Sequence, residues 1–440
     1  MSRPLPLSLL SALLLTLLPG LAPAAKLGDV YLLARESDAK LAAAREAQKA
    51  SQEKIPQGRA GLLPSLSLDA FLRRTESRTS TTSNDYTSHG YSLALVQPLY
   101  RRQNLEAYEQ AKLQSLLGDQ QFKVAEQDLL LRVATAYFDV LLAQDALATA
   151  QAQKKAFAEQ LAQARKSFEV GAATITDTHE AQARFDLTTA QEIAALNDLE
   201  VKRRALEKII DREAPALATL DDKVAMPLPE PASLDPWLRQ AEESSLAVAL
   251  GQSGLELARR EVARQRGGHH PTLDLAATYS DNRNVGSGAT TIDSRSGVLG
   301  LEFGWVLFQG GGLSAAVREA VANQEKARHD LEEARRQARL DARQGFLGVL
   351  SGDAQVKALE QALVSSEAQL KSTKLGLEVG VRTRVDVLNA QQQVFTTRRD
   401  LAAARYQTLL AGLQLKAAAG SLDAEDLKAV DALLREPAAP

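Results

Sequence analysis

Most of the chain places apolar residues at helical spacing, and two shorter regions change to strict alternation. Apolar stripes predict helices from Leu27 to Arg59, Arg102 to Phe168, Thr174 to Asp211, Leu234 to Arg266, Leu313 to Glu378 and Thr383 to Ala419. At about 1.5 Å of rise per residue, the second and fifth of these helices would each be close to 100 Å long. Helical patterns of this length are typical of coiled coils or bundles rather than compact globules.

The alternating regions predict two β-hairpins, at about residues 65–100 and 272–308. Leu66, Leu68 and Leu72 share one side of the first strand, and Leu299 and Leu301 share one side of a strand in the second hairpin, while Ser65, Ser67, Asp69, Phe71, Gly300 and Glu302 fall on the opposite sides. We predict strands of roughly 9 to 11 residues, which is the length of a tilted strand that spans a bilayer. The polar stretches 75–90 and 281–297 are predicted to be loops. A soluble two-faced sheet would show the same alternation, so the hairpins alone leave both interpretations open.

The chain is a duplication. Gly380 and Asp386 each follow their counterparts, Gly171 and Asp177, by 209 residues. A constant offset indicates one structural unit built twice. We therefore divide the chain into repeat 1 (25–211), a proline-rich connector or equatorial region (212–233), repeat 2 (234–420) and a C-terminal tail (421–440).

The N-terminus indicates secretion. A basic residue, an apolar run and the small residues Ala22-Pro-Ala24 predict a signal peptide over residues 1–24. No later stretch is apolar enough for a transmembrane helix, which favours a membrane β-barrel for the hairpins. Four strands are too few to close such a barrel, so several chains must share it. The strand pattern itself leaves the number of chains open.

Composition and residue spacing argue against several classes of function. The net charge of −3 gives no reason to expect nucleic-acid binding, and the absence of cysteine excludes disulfides and zinc-thiolate sites. His269-His270 lacks a third ligand at metal spacing, and no nucleophile, base and orienting group can be assembled. We expect neither a cofactor nor enzymatic activity.

A glycine and a threonine bracket the turn between the two long helices of each repeat, at about residues 170–174 and 379–383. Gly171 and Gly380 fit helix C-terminal stops. Thr174 and Thr383 fit the N-caps of the next helices, with an aspartate three residues on. A plain capped helical hairpin explains these residues without any further function.

Several motifs resemble the TolC-type outer-membrane efflux proteins. They are the segment 134–141 (ATAYFDVL), the two Val-Gly-x-x-Thr-x-x-Asp turns, the segment 307–312 (LFQGGG) and the duplicated order of helix, hairpin, long helix, turn and helix. The resemblance implies a mainly α fold with membrane β: a homotrimer with a twelve-stranded barrel in the outer membrane of a Gram-negative cell, continued by a helical tunnel in the periplasm. It also implies a passive exit duct for tripartite efflux or type I secretion. The implied partners are outer membrane lipid, a periplasmic adaptor and an inner-membrane transporter of ABC, RND or MFS type.

The resemblance assigns roles to the turns, which would form the periplasmic tips. By position, Arg382 would tie the tips through Thr176 and Asp177, while Asp386 would belong to an acidic ring at the constriction. This chain has Asn389 in place of a second ring acid and an additional charge at Arg384, so the ring should be less acidic. The residues implied to dock the adaptor at the tips are Gly171, Thr174, Gly380 and Thr383.

Two other classes of protein remain as alternatives. A structural periplasmic coiled-coil protein without channel activity would also have long helices. A periplasmic adaptor carries a helical hairpin too, although that class usually has a compact lipoyl-like β domain. The sequence does not identify the cargo.

Overall fold

The structure, a computed structural model, describes residues 24–81, 83–221, 224–286 and 292–435. The predicted signal peptide therefore lies outside the described residues, except for Ala24. The helices are α1 (Leu27–Ser37), α2 (Ala39–Gln52), α3 (Lys54–Ala60), α4 (Arg102–Glu169), α5 (Ile175–Ile210), α6 (Leu234–Ser244), α7 (Leu246–Gly267), α8 (Gly312–Glu378), α9 (Arg384–Ala418) and α10 (Glu425–Asp431). The strands are β1 (Ser65–Arg78), β2 (Ser83–Tyr100), β3 (Thr219–Leu220), β4 (Thr272–Gly286), β5 (Ile292–Gly304) and β6 (Leu434–Arg435).

The two longest helices, α4 and α8, have 68 and 67 residues, close to 100 Å each at about 1.5 Å per residue. Each turns back into a shorter partner, α5 or α9, as the helical periodicity predicts. Among the described helices, none is both long enough and apolar enough to cross a membrane.

The helices that precede the hairpins are broken, so their prediction as single helices is wrong. Asp38 ends α1 with extended backbone and accepts a hydrogen bond from the Leu41 amide at 2.8 Å. Ser245 does the same between α6 and α7, where its hydroxyl accepts from the Val248 amide at 3.2 Å. A short polar side chain can cap a new helix at such a position while the apolar stripe continues, and periodicity alone does not detect the break.

The four long strands form one antiparallel sheet in the order β1-β2-β4-β5. The central pair, β2 and β4, joins repeat 1 to repeat 2, so the hairpins make a continuous surface. One face carries apolar side chains that are largely exposed, among them Leu68 at 69% and Leu299 at 74%. Strands β1 and β5 are the edges, and their outer backbone groups have no partner strand among the described residues.

The strands are longer than predicted, at 14, 18, 15 and 13 residues. The stretches 75–90 and 281–297 were predicted to be loops, and most of the described residues in them continue the ladders, with pairs such as Thr75 to Tyr86 and Asp281 to Arg295. Serine, threonine and charged side chains indicated a loop, but a strand that projects into water can carry them on both faces. The ladder is held by the backbone and does not require an apolar face.

The beginning, middle and end of the described chain meet beside the long helices. Ala25 pairs with Leu217 of the connector, and β3 of the connector pairs with β6 after α10. Asp431 in α10 accepts hydrogen bonds from the Gly28 amide at the start of α1, at 3.1 and 3.2 Å. Residues 421–435, predicted as part of a tail, are thus folded against the N-terminus and the connector.

An apolar core fills this junction and extends along α4 and α9. Tyr137, Phe138 and Leu141 of α4 pack with Tyr406 and other residues of α9, and the rings of Phe138 and Tyr406 are stacked with centroids 5.6 Å apart. The Tyr137 hydroxyl donates to the Ala25 and Ala218 carbonyls at 3.1 and 2.7 Å. A second cluster joins α6, α7, α8 and α9 around Trp237 and Phe346. We call the helical part held by these two clusters the body.

Candidate functional site

The two turns at the far ends of the long helices have almost the same geometry. Gly171 and Gly380 follow the helix ends with φ of 72° and 79°, a left-handed backbone that glycine adopts without strain. Thr174 and Thr383 are the N-caps of the helices that follow. The hydroxyl of each accepts a hydrogen bond from the backbone amide three residues further on, as in a capping box. The capped helical hairpins predicted from the sequence are confirmed.

The aspartates of the capping boxes are held by the backbone. Asp177 Oδ2 accepts from the Thr174 amide, and Asp386 Oδ2 accepts from the Thr383 amide, both at 2.9 Å. The Thr383 hydroxyl also bonds Asp386 at 2.9 Å. These bonds from Thr383, assisted by the charge of Arg382, lower the pKa of the Asp386 carboxyl below its ordinary value. Asp386 is therefore ionised at neutral pH.

Two predicted constriction residues contact the other repeat. Arg384 Nη2, at the start of α9, donates to Ser167 Oγ of α4 at 2.7 Å. Arg184 Nη2 of α5 donates to Asn389 Oδ1 of α9 at 2.9 Å. Both bonds join repeat 1 to repeat 2 within one chain.

The predicted tie of Arg382 to Thr176 and Asp177 does not occur between described atoms of one chain. Arg382 is exposed, and its aliphatic part covers Gly376, where an added Cβ would lie 2.7 Å from Arg382 Cγ. Thr176 is exposed on the first turn of α5. The role of these residues as a latch stays a prediction.

Sequence reasoning missed a row of glutamines between α4 and α9. The Gln153 amide donates to Gln392 and the Gln160 amide donates to Gln391. Gln153 and Gln391 are 5% and 9% exposed, so they occupy positions where apolar residues would normally join two helices. Two features of the sequence could have indicated this row. Gln153, Gln160 and Ser167 are spaced seven residues apart in α4, and α9 contains the run Gln391-Gln-Gln393.

We call residues 155–191 and 368–397 the tip region. No residue in it forms an ion pair within 4.0 Å among the described parts of the chain, although ion pairs are frequent elsewhere along α4 to α9. Among its described residues, Leu161, Ala164 and Ala181 form an apolar cluster that joins α4 to α5 inside repeat 1, and Phe157, Val387, Leu388 and Val394 are buried as well. The side-chain hydrogen bonds described between the two repeats at the tips, from Gln160, Arg184 and Arg384, all end on neutral acceptors.

The sequence pattern of the family described as Outer membrane efflux protein matches residues 30–211 and 237–421. The two matched segments cover both repeats. The chain belongs to the outer membrane efflux protein family.

Relatives of this efflux family align with nearly the whole chain. The Proteases secretion protein PrtF of Dickeya chrysanthemi is 32% identical over 435 residues, 96% of this chain and 93% of its own length. The Outer membrane protein TolC of Vibrio cholerae is 33% identical over 415 residues, 94% of each chain. The crystal structure of the outer membrane protein VceC of Vibrio cholerae has a TM-score of 0.75 at 19% identity, covering 90% of this chain and 96% of VceC.

These comparisons confirm the predicted family, the mainly α fold with membrane β hairpins, and the outer membrane as its location. As a member of the efflux family, the chain serves as an outer membrane channel that conducts cargo outward. The family is one of transport ducts, not of enzymes.

Proposed function

We propose that three copies of this chain form one passive exit duct for tripartite efflux or type I secretion. The observation that carries the proposal is the four-stranded sheet with two open edges at the end of helices about 100 Å long. In lipid, an open sheet edge would leave backbone groups without hydrogen bonds. Identical copies related by cyclic symmetry would pair β5 of one chain with β1 of the next and close twelve strands.

The partners in this proposal are outer membrane lipid around the barrel, a periplasmic adaptor at the tips, and an inner-membrane transporter of ABC, RND or MFS type. The turn residues Gly171, Thr174, Gly380 and Thr383 present two similar capped ends per chain to the adaptor. PrtF is named for protease secretion, and the similarity to it supports a secreted protein as cargo.

The proposed gate lies at the tips. Arg384, Asp386 and Asn389 would line the constriction, and Arg382 would act with Thr176 and Asp177 as a latch. The bonds from Arg384 to Ser167 and from Arg184 to Asn389 cross between the repeats, so they would break when the repeats separate. Hydrogen bonds that involve a charged group typically contribute about 1.5–3 kcal/mol each, and less where water competes at an exposed end, which suits contacts that must open reversibly.

The test is reconstitution of the purified full-length protein. We expect an outer-membrane protein that migrates as a heat-sensitive trimer in detergent and forms discrete channels in a planar bilayer. A monodisperse water-soluble monomer that does not partition into lipid would contradict the proposal and favour a structural periplasmic protein.

A further inference from the structure

The two open edges of the four-stranded sheet carry opposite charges on the same face. Arg73 lies in edge strand β1 and Glu302 in edge strand β5, and the register of the sheet places both on the face opposite the exposed leucines. Both side chains are exposed, and neither forms an ion pair with another described residue of the chain. Strands β2 and β4 lie between the edges, so Arg73 and Glu302 cannot pair within one chain.

The leucine-bearing face has a stepped boundary at the end away from the helices. On each strand we take the last apolar side chain of this face before a polar residue or glycine follows. These boundary residues are Leu72, Tyr91, Tyr279 and Leu299. The first three pair with the next strand at His89, Asp281 and Gly297. Each of these partners lies two residues beyond the boundary residue of its own strand, so the boundary steps by two residues at all three ladders. Closure of a sheet into a barrel requires a stagger of this kind.

The same step, repeated at the seam between two copies, defines one register for that seam. Leu299 of β5 would lie opposite Arg74 in β1 of the next copy, two residues beyond Leu72. A shift by a single residue would turn the apolar side chains of one copy towards the wrong face, so only shifts by two residues compete.

Shifts of the seam by two residues are both unfavourable. One of them places Glu302 directly opposite Asp69 of the next copy, and like charges at directly opposed positions destabilise a sheet. The other places Leu301 opposite Arg74, which breaks the two-residue step of the apolar boundary. The stepped boundary and the charges therefore favour the same register.

We infer that Glu302 of one copy forms an ion pair with Arg73 of the next copy, and that this pair fixes the register in which the barrel closes. Glu302 would lie opposite Phe71, and the Arg73 guanidinium already lies over the Phe71 ring, 5.7 Å from its centroid. The neighbour of Glu302 within its own chain, Asp274, is bonded to Arg101 at 2.8 Å, which offsets the charge of Asp274. The inference rests on the proposed function, because only copies arranged around one axis bring β5 against β1.

The register is tested by disulfide cross-linking of the full-length protein, which has no cysteine of its own. Leu301→Cys is combined in turn with Leu68→Cys, Ala70→Cys, Leu72→Cys or Arg74→Cys. On oxidation, Leu301→Cys/Leu72→Cys should form a covalent trimer fastest, because these two positions are directly opposed in the inferred register. Covalent trimers are measured on a denaturing gel without reductant.

The outcomes separate the register from the proposed function. Fastest cross-linking with Ala70→Cys or Arg74→Cys would overturn the inferred register, and so would a heat-sensitive trimer in which none of the four pairs is linked. Failure of the unmodified protein to form any trimer would overturn the proposed function itself.

An exchange of charges tests the ion pair. Arg73→Glu and Glu302→Arg should each lower the temperature at which the trimer dissociates in detergent by several degrees, because each places like charges together at every seam. Arg73→Glu/Glu302→Arg restores opposite charges and should restore that temperature. Arg45→Glu, on exposed α2 away from the sheet, is the control and should leave it unchanged. Single variants without a loss, or a double variant as unstable as the single ones, would overturn the ion pair.

Discussion

The body and the tip region are built from the same helices, α4, α5, α8 and α9, but polar contacts hold a larger share of the tip region together. In the body, α4 and α9 share an apolar core with the rings of Phe138 and Tyr406 at its centre. In the tip region, the same two helices are joined by the pair Gln160–Gln391 and by the bond from Arg384 to Ser167, and the pair Gln153–Gln392 lies at its border. The contacts along one long helix thus change from stacked aromatic rings to polar pairs that accompany buried apolar side chains such as Phe157 and Leu388.

This difference predicts which part of the molecule separates first. Burial of a large apolar side chain contributes about 1.5–3 kcal/mol, and separating the body would lose many such contacts at once. Side-chain hydrogen bonds that water can reach are exchanged for bonds to water at a small net cost. Separation of the repeats should therefore begin at the tips and end where the apolar core begins.

The largest effect on the free energy of unfolding should come from removing a large side chain from the core of the body. Phe138 is 1% exposed, so Phe138→Ala should lower the free energy of unfolding by about 3–5 kcal/mol. Phe168→Ala, at a ring that is 43% exposed in the tip region, should cost less than about 0.5 kcal/mol. Urea unfolding of both variants measures the contrast, and equal losses would contradict the division into body and tips.

A second contrast concerns how closely α8 and α9 approach. A Cβ on Gly345 would lie 2.9 Å from Leu415 Cα, so Gly345→Ala should destabilise the protein by about 1–3 kcal/mol through forced separation of the helices. An added Cβ on Gly412 meets nothing within 4 Å, so Gly412→Ala should stabilise α9 by up to about 1 kcal/mol. Thermal unfolding should therefore show shifts of opposite sign for the two substitutions.

The pH dependence should originate partly in the body. Arg264, with Gln110 of α4 and Gln265, donates to Glu261 and lowers the pKa of its carboxyl from 4.5 to about 2. Because the folded pKa lies below the unfolded one, the stabilisation is present above pH 4.5 and is lost as the pH falls towards 2. Glu261→Gln should lower the free energy of unfolding at pH 7. It should also make that free energy depend less on pH between pH 4.5 and pH 2. If the variant shows the same pH dependence of the free energy of unfolding below pH 4.5 as the unmodified protein, the pair of Arg264 and Glu261 does not provide this stabilisation.

The smallest effect on stability and the largest on conductance should come from the tips. Arg382→Ser and Ser167→Ala each alter an exposed or half-exposed contact, so each should change the free energy of unfolding by less than about 1 kcal/mol. Single-channel conductance should nevertheless rise in both, because the tips would open more easily. Stability losses comparable to that of Phe138→Ala, with conductance unchanged, would count against a gate at this place.

Much of the fold could be predicted from the sequence because long periodic elements and their caps are local signals. Thr174 and Thr383 occupy the predicted caps, and α4 and α8 end within a residue or so of the predicted positions. The breaks at Asp38 and Ser245 and the full strand lengths were missed, since capping and backbone ladders can override the apolar pattern. The partners of Arg384 and Asn389 lie 217 and 205 residues away, which no local pattern encodes.

The most direct test uses the absence of cysteine from the chain. In Gln160→Cys/Gln391→Cys, a reducible dimaleimide linker would join α4 to α9 at a glutamine pair of the tip region. We predict that single-channel conductance exceeds that of the unmodified protein when the linker is cleaved, and falls to or below the unmodified level when it is intact. Equal conductance in the linked and cleaved states would contradict a gate that opens by separating the two repeats at their tips.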